Sequence, residues 1–93
     1  MNYPLLRSTA FIRAAQRLIR KNPSAANDLR EALNMLTEDP FHPRLRTHKL
    51  KGAFLGAMAC SAGYDLRILY EFVPHEGKTA ILLLTIGTHD EVY

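Results

Sequence analysis

Apolar residues in the N-terminal half of the chain recur every three or four positions, which is the spacing of an amphipathic helix. Ser8 is a suitable N-cap for a first helix, and Asn22-Pro23 ends it. A second helix begins at Pro23 or Ser24 and ends at Asp39-Pro40. Because the link between the two helices is short, the pattern predicts an antiparallel helical hairpin.

In the C-terminal half the period changes to two, the period of a strand. Residues 57–61 and 65–73 are predicted strands, and in the second of them one face is apolar: Leu66, Ile68, Tyr70 and Phe72. Residues 79–86 are nearly all apolar, as in a central strand buried on both faces. Turn residues lie between these strands, at 61–64 and 74–77. A short strand is predicted over residues 3–7, and Pro4 requires that it lie at the edge of a sheet or that the proline stand at the start of the strand. Residues 40–52 are predicted to form a long loop.

The predicted order is therefore one strand, two helices and three strands. We expect an α+β fold in which an N-terminal short strand and a two-helix hairpin pack on an antiparallel sheet (β-α-α-β-β-β). The apolar helix stripes must be buried on one sheet face, which leaves the other face free for function. With 93 residues there is room for one core only, so residues 1–93 are expected to form a single domain.

The composition excludes several classes of protein. A hydrophobic fraction of 47% with 23% charged residues is typical of a globular protein rather than a disordered one. The single cysteine, Cys60, excludes an internal disulfide and a cysteine-rich zinc site. No carboxylate cluster suggests a metal, so we expect no cofactor. The longest apolar stretch, residues 80–84, is too short to span a membrane, and with no signal-peptide pattern we expect a cytoplasmic protein.

Basic residues are distributed unevenly along the chain. Ten of the twelve Lys and Arg residues lie between Arg7 and Lys51, although the net charge is only +3. Such a one-sided distribution is typical of a protein that binds a polyanion such as RNA. A basic helix face that is simply solvated would explain the charge equally well.

The most basic segment runs from His42 to Gly52, where six of eleven residues are potential cations and none is acidic. Like charges at this density repel one another unless an anion lies among them. Leu45 and Leu50 could anchor the segment to the core while its basic groups stay in solvent. A phosphate backbone is the natural ligand, and the candidate RNA-binding residues are Arg44, Arg46, Lys49 and Lys51. The alternative is a solvated basic loop.

Two further segments contain candidate functional residues. His89 and Tyr93 follow the most buried strand directly, although Tyr93 could simply pack on a helix and His89 could be a surface residue. Strand alternation places Asp65 and Arg67 on one face. The planar guanidinium of Arg67 is suited to bind a phosphate with two hydrogen bonds. The alternative there is an exposed ion pair of little energetic value. His42 and His75 are interpreted as surface residues.

This set of side chains matches RNA cleavage by attack of the ribose 2′-OH on the adjacent phosphate. The reaction needs a base for the 2′ proton, an acid for the leaving 5′ oxygen and cations for the developing charge. Imidazoles suit the acid and base roles near neutral pH. No metal is required for this chemistry.

The chain resembles the RelE/ParE superfamily of type II toxins, and within it the YafQ-like branch. The resemblance rests on the order and spacing of five pieces: Ser8-x-x-Phe11, Leu36-x-x-Asp39-Pro40, His48-Lys49-Leu50-Lys51-Gly52, Asp65-Leu66-Arg67-Ile68-Leu69-Tyr70 and Ile86-Gly87-Thr88-His89-Asp90-Glu91-Val92-Tyr93. It implies the fold of microbial ribonucleases and an endoribonuclease that usually cleaves messenger RNA on the ribosome. It also implies a cognate antitoxin, with operator DNA contacted only through the toxin–antitoxin complex.

The resemblance also implies roles for particular residues. In YafQ-like members the working residues match His48, Asp65, His89 and Tyr93, and in RelE-like members they match Arg67, Lys49 and Lys51. The chain departs from YafQ at Ser61, where YafQ has a second histidine, and a hydroxyl cannot replace an imidazole as a base near neutral pH.

Two other functions stay open. A ParE-like toxin would poison DNA gyrase by binding it, without nuclease activity, although such chains generally lack this histidine and tyrosine set. The third possibility is a free-standing RNA- or DNA-binding domain with no chemistry.

Overall fold

The computed structural model describes residues 2–50, 56–88 and 92. In chain order the elements are β1 (Leu5–Arg7), α1 (Thr9–Lys21), α2 (Ala25–Glu38), a 3-10 turn (Pro43–Leu45), β2 (His48–Lys49), β3 (Met58–Ala62), β4 (Leu66–His75) and β5 (Lys78–Thr88). The predicted α+β class is confirmed. The segment predicted as a long loop contains β2, a strand too short to have a periodicity of its own.

Both helices begin close to their predicted positions. The Ser8 side chain accepts a hydrogen bond of 3.0 Å from the Phe11 N–H, as an N-cap does. The same hydroxyl donates to the Leu84 carbonyl at 3.1 Å, which fastens the start of α1 to β5. Ser24 does not cap α2 with its side chain, because its hydroxyl donates to Asn22 Oδ1 at 2.7 Å. The second helix starts at Ala25, with Ser24 as its N-cap residue.

The five strands form one sheet in the order β1-β5-β4-β3-β2. The consecutive strands β3, β4 and β5 pair antiparallel, as predicted for strands joined by short turns. The sheet as a whole is mixed rather than antiparallel, because β1 pairs in parallel with β5 and places Leu5 opposite Ile81. No short turn joins these two strands, so local sequence sets no direction for the pair.

The turn between β4 and β5 differs from the prediction. Pro74 lies inside β4, opposite Thr79, and the turn itself consists of Glu76 and Gly77. Both turn residues have positive φ angles, 51° and 77°, which is the backbone of a two-residue type I′ hairpin. Proline is tolerated at this point because, among the described residues, β3 pairs with β4 only as far as Tyr70 and none pairs with Pro74 on that side.

The main core lies between the helices and one face of the sheet. The predicted apolar face of β4 belongs to it: Leu66, Ile68, Tyr70 and Phe72. On the opposite face, Ala59, Leu69 and Val92 form a smaller buried cluster, with Leu50 and Leu84 packed against it. None of the described helices has the length and hydrophobicity that a membrane crossing requires.

Two buried acidic groups make stability sensitive to alkaline pH. Burial raises the pKa of the Cys60 thiol from 9.0 to about 12, an effect that Arg67 partly opposes. Burial likewise raises the pKa of Tyr70 from 10.0 to about 12, and the nearby Thr47 hydroxyl partly opposes it. The Tyr70 hydroxyl has no hydrogen-bond partner of standard geometry among the described residues. Both groups therefore stay protonated in the folded chain at pH values where the unfolded chain has lost its protons.

We expect the free energy of unfolding to fall as pH rises from about 9 toward 12, because the unfolded state then binds fewer protons than the folded state. For Cys60 alone the loss should reach about 2 kcal/mol near pH 10.5, relative to pH 8. Urea unfolding at the two pH values measures it. In the matched variant Cys60→Ala the free energy of unfolding should fall less between the two pH values. An equal fall in variant and wild type would contradict the role of the thiol.

Candidate functional site

The sheet face opposite the helices carries the candidate site. Strand register places the side chains of Ser61 and Arg67 next to each other across β3 and β4, with Gly87 of β5 on the other side of Arg67. The neighbouring row along the strands contains His48 opposite Ala59, which in turn lies opposite Leu69. The two rows are on one face because alternate residues of a strand point to the same side.

Arg67 is the central cation of this face. It is half-buried, and its Nη1 donates to the Leu66 carbonyl at 2.9 Å. Within residues 2–50 and 56–88 the sole ion pair within 4.0 Å is His75–Glu76, so no described carboxylate neutralises Arg67. The predicted alternative of an Asp65–Arg67 ion pair is therefore not present. Since a guanidinium has five N–H donors, Arg67 retains donors for an anion.

His48 is exposed at the edge of the same face. Its Nδ1 lies 3.1 Å from the Arg46 carbonyl oxygen. A carbonyl can only accept, so this contact favours the tautomer with the proton on Nδ1 and leaves Nε2 as the basic nitrogen. A base of this kind is what the 2′-OH chemistry requires.

His48 and Arg67 are separated by two strand spacings across the sheet and two residues along it. With about 4.8 Å per strand spacing and about 3.4 Å per residue, their Cα atoms are about 12 Å apart. Both side chains point out of the same face, so they can approach one phosphodiester from opposite sides. They do not need to touch each other for this arrangement to work.

The basic segment is anchored as predicted. Leu45 is 2% exposed and belongs to the main core, while Leu50 packs against the smaller cluster on the open face. Arg44 and Arg46 are exposed on either side of Leu45. Arg46 has a φ of 51°, a left-handed conformation that reverses the chain direction before β2.

Lys49 does not join His48 and Arg67. It lies opposite Met58, whose side chain belongs to the core on the helix side of the sheet. Neighbouring residues of a strand point to opposite faces, so the Lys49 side chain projects from the exposed edge of the sheet toward the helix side. It can reach a ligand that bends around this edge, but it is not part of the row that contains His48.

Asp65 lies in the turn before β4 and is exposed. It lines a groove at the end of the sheet together with Arg17, Lys21 and Tyr64, rather than pairing with Arg67. The two histidines interpreted as surface residues have local roles: Nδ1 of His42 accepts a hydrogen bond of 3.1 Å from the Arg44 N–H, and His75 lies 3.9 Å from Glu76.

Three predicted site residues, Lys51, His89 and Tyr93, lie outside the described residues. Among those that are described, no group of three or more His, Cys, Asp or Glu side chains could hold a metal ion. Sequence reasoning missed Gly87, which lies just beyond the predicted strand over residues 79–86 but is buried inside β5 and pairs with Arg67. Local periodicity gives no signal for this pairing between strands.

Comparison with known proteins identifies relatives of this fold. Residues 3–93 match the family model described as a bacterial toxin of type II toxin–antitoxin systems, YafQ. No curated protein matches the chain.

Solved structures share the architecture. YafQ from Escherichia coli strain BL21(DE3) aligns over 98% of each chain, with a TM-score of 0.78 and 16% identity. The toxin chain of the Escherichia coli DinJ–YafQ toxin–antitoxin complex aligns over 100% of this chain and 99% of its own, with a TM-score of 0.76 and 16% identity. A YoeB/ParE toxin from Agrobacterium tumefaciens aligns over 92% of this chain and 98% of its own, with a TM-score of 0.75 and 13% identity. At these identities the structures demonstrate a common fold.

The family match covers all but the first two residues, and the fold is that of the RelE-like toxins. The chain belongs to the YafQ family of bacterial toxins of type II toxin–antitoxin systems.

Proposed function

We propose that the chain is an endoribonuclease that cleaves messenger RNA on the ribosome without a metal ion. The observation that carries this proposal is Arg67, a half-buried guanidinium on the open sheet face with no carboxylate partner among the described residues. A cation held in this way is suited to bind a phosphate with several hydrogen bonds. The adjacent basic segment, which contains no acidic residue, extends the same charge toward an RNA backbone.

The proposed reaction is an internal transfer at phosphorus. A base removes the proton of the ribose 2′-OH, the 2′ oxygen forms a bond to phosphorus, and the bond to the 5′ oxygen breaks. An acid protonates that leaving oxygen, so the products are a 2′,3′-cyclic phosphate and a free 5′-OH. Arg67 neutralises charge on the non-bridging oxygens as the transition state forms. His48 is the described imidazole on this face and exchanges one of the two protons.

The family resemblance adds three residues to the proposed catalytic site: Asp65, His89 and Tyr93. Ser61 lies directly opposite Arg67, at the position where YafQ has a further histidine. A serine there can donate a hydrogen bond to a phosphate oxygen but cannot act as the base. The acid and base roles are therefore assigned to His48 and His89.

The proposed partner is a small antitoxin, as in the DinJ–YafQ complex whose toxin shares this fold. An acidic antitoxin segment would neutralise the basic segment and block its phosphate-binding groups at the same time. Operator DNA would be contacted through that complex. Copurification with the product of a small adjacent reading frame would support this partner, and its failure to bind would oppose it.

We expect purified toxin to cleave messenger RNA in a translating ribosome mixture, and to do so after the protein has been stripped of metal. The physical reason is that imidazoles and a guanidinium supply the proton transfer and charge stabilisation of the reaction. Primer extension locates the cuts, and end-group analysis detects the cyclic phosphate. Because ribosomes need magnesium, EDTA treatment is applied to the toxin alone, and intact ribosomes are verified by sedimentation.

Recovery of cleavage only after a particular divalent ion is restored to the stripped toxin would contradict the metal-independent mechanism. Intact transcripts together with gyrase-linked DNA breaks would instead identify a ParE-like poison. Intact transcripts with RNA binding alone would identify a binding domain without chemistry.

A further inference from the structure

A groove of about 490 Å³ lies at the end of the sheet, on the side of the helices. Its walls are the C-terminal half of α1 on one side and the turn between β3 and β4 on the other, with the end of β5 as the floor. Its volume lies in the range of pockets that bind small molecules. The polar side chains that matter here are Arg17, Lys21, Asp28, Tyr64 and Asp65.

The α1 wall of the groove is cationic. Arg17 and Lys21 are four residues apart, so they lie on one helix face, and α1 contains no acidic residue. Neither side chain has an ion-pair partner within the described part of the chain. Lys21 lies in the last turn of α1, where a cation also interacts favourably with the helix dipole, whereas Arg17 lies one turn earlier. Together the two cations can bind an anionic ligand in the groove.

Tyr64 supplies the aromatic element of the opposite wall. Its side chain is 98% exposed, although it lies in a tight turn where a small polar residue would serve. Packing therefore does not explain the ring, whose faces are open to solvent. Exposed aromatic rings beside cationic side chains are the standard platform on which bases of single-stranded nucleic acids stack.

The two carboxylates of the groove restrict how a ligand is oriented. Asp28 and Asp65 repel a phosphate, so a nucleotide phosphate should lie against Arg17 and Lys21. A carboxylate accepts hydrogen bonds from amino and imino groups at the edge of a base. The groove thus has a phosphate wall and a base wall, which is the layout of one nucleotide.

The groove and the candidate site meet only at the end of the sheet, because the groove lies on the helix side whereas Arg67 points out of the opposite face. Gly87 lines the groove and lies opposite Arg67 in the sheet. We propose that the groove binds one nucleotide of a single-stranded RNA that bends around this end of the sheet from the cleaved phosphate, with its phosphate on Arg17 and Lys21 and its base stacked on Tyr64. This inference rests on the proposed ribonuclease function and assigns that function a second binding subsite.

The test uses a fluorescein-labelled single-stranded RNA whose 2′-OH groups are replaced by hydrogen near the expected cut, so that it binds without being cleaved. Anisotropy titration of the full chain should give about 5- to 20-fold weaker binding for Tyr64→Ala and near wild-type binding for Tyr64→Phe, which retains the ring. The double variant Arg17→Gln/Lys21→Gln should lower the salt slope of log K by about 1.4, the value for two lost contacts to single-stranded phosphates. The control Arg30→Gln/Lys78→Gln removes the same charge outside the groove and should leave that slope unchanged.

Cleavage assays on the same variants separate this inference from the proposed function. If wild type cleaves messenger RNA but Tyr64→Ala binds and cleaves like it, the subsite is overturned and the ribonuclease function stands. If wild type does not cleave but its RNA binding depends on Tyr64, Arg17 and Lys21, the function fails and the groove remains an RNA site. An equal loss of binding in the control variant, or no RNA binding by wild type, overturns the subsite.

Discussion

Replacing Arg67 with alanine is expected to lower the rate of messenger RNA cleavage by about 10²- to 10⁴-fold, the usual effect of removing one group that stabilises developing charge. Arg67 is half-buried on the open sheet face, with one hydrogen bond to the Leu66 carbonyl and no carboxylate neighbour among the described residues. Alanine would remove both the charge and the fork of donors. The loss should appear in kcat more than in KM, because the charge on phosphorus oxygens grows only in the transition state.

The matched variant Arg67→Lys keeps the charge and loses the planar fork, so its cleavage rate should lie between those of wild type and Arg67→Ala. Lys78→Ala removes an exposed cation at the far end of β5 and should cleave like wild type. Circular dichroism establishes that each variant is folded. Growth arrest and cleavage at wild-type levels in folded Arg67→Ala would refute the assignment of Arg67.

Leu45→Ala is expected to lower the free energy of unfolding by about 2–5 kcal/mol, the cost of removing a buried leucine side chain and leaving a cavity. Leu45 is 2% exposed and fastens the 3-10 turn of the basic segment to the main core. A chain of this length has a total stability of about 5–14 kcal/mol, so the loss is a large fraction of it. Arg44 and Arg46, on either side of Leu45, would lose the anchor that positions them.

Urea unfolding measures this effect, with Leu45→Met as the matched control because it conserves volume and should cost less than about 1.5 kcal/mol. RNA binding by Leu45→Ala is measured where the variant is still folded, and it should be weaker than that of Leu45→Met. Equal unfolding midpoints for wild type and Leu45→Ala would show that Leu45 does not anchor the segment.

Features that depend on neighbouring residues follow from the amino-acid sequence alone. Local periodicity and capping account for the Ser8 cap, the helix C-caps at Asn22 and Asp39, and the apolar face of β4. The anchoring of the basic segment by Leu45 and Leu50 was predictable for the same reason, because apolar residues within a basic run must find a core. The residue types of the candidate site were also visible, since chemistry depends on side-chain identity.

The arrangement of these elements depends on contacts between distant parts of the chain, which local sequence does not specify. The parallel pairing of β1 with β5, and the register that places Ser61, Arg67 and Gly87 in one row, join residues that are distant in sequence. A shift of one residue in such pairing would move every side chain to the other face, and local propensity does not specify that shift. The same register sends Lys49 away from His48, while the turn before β4 directs Asp65 toward the groove beside α1 instead of toward Arg67.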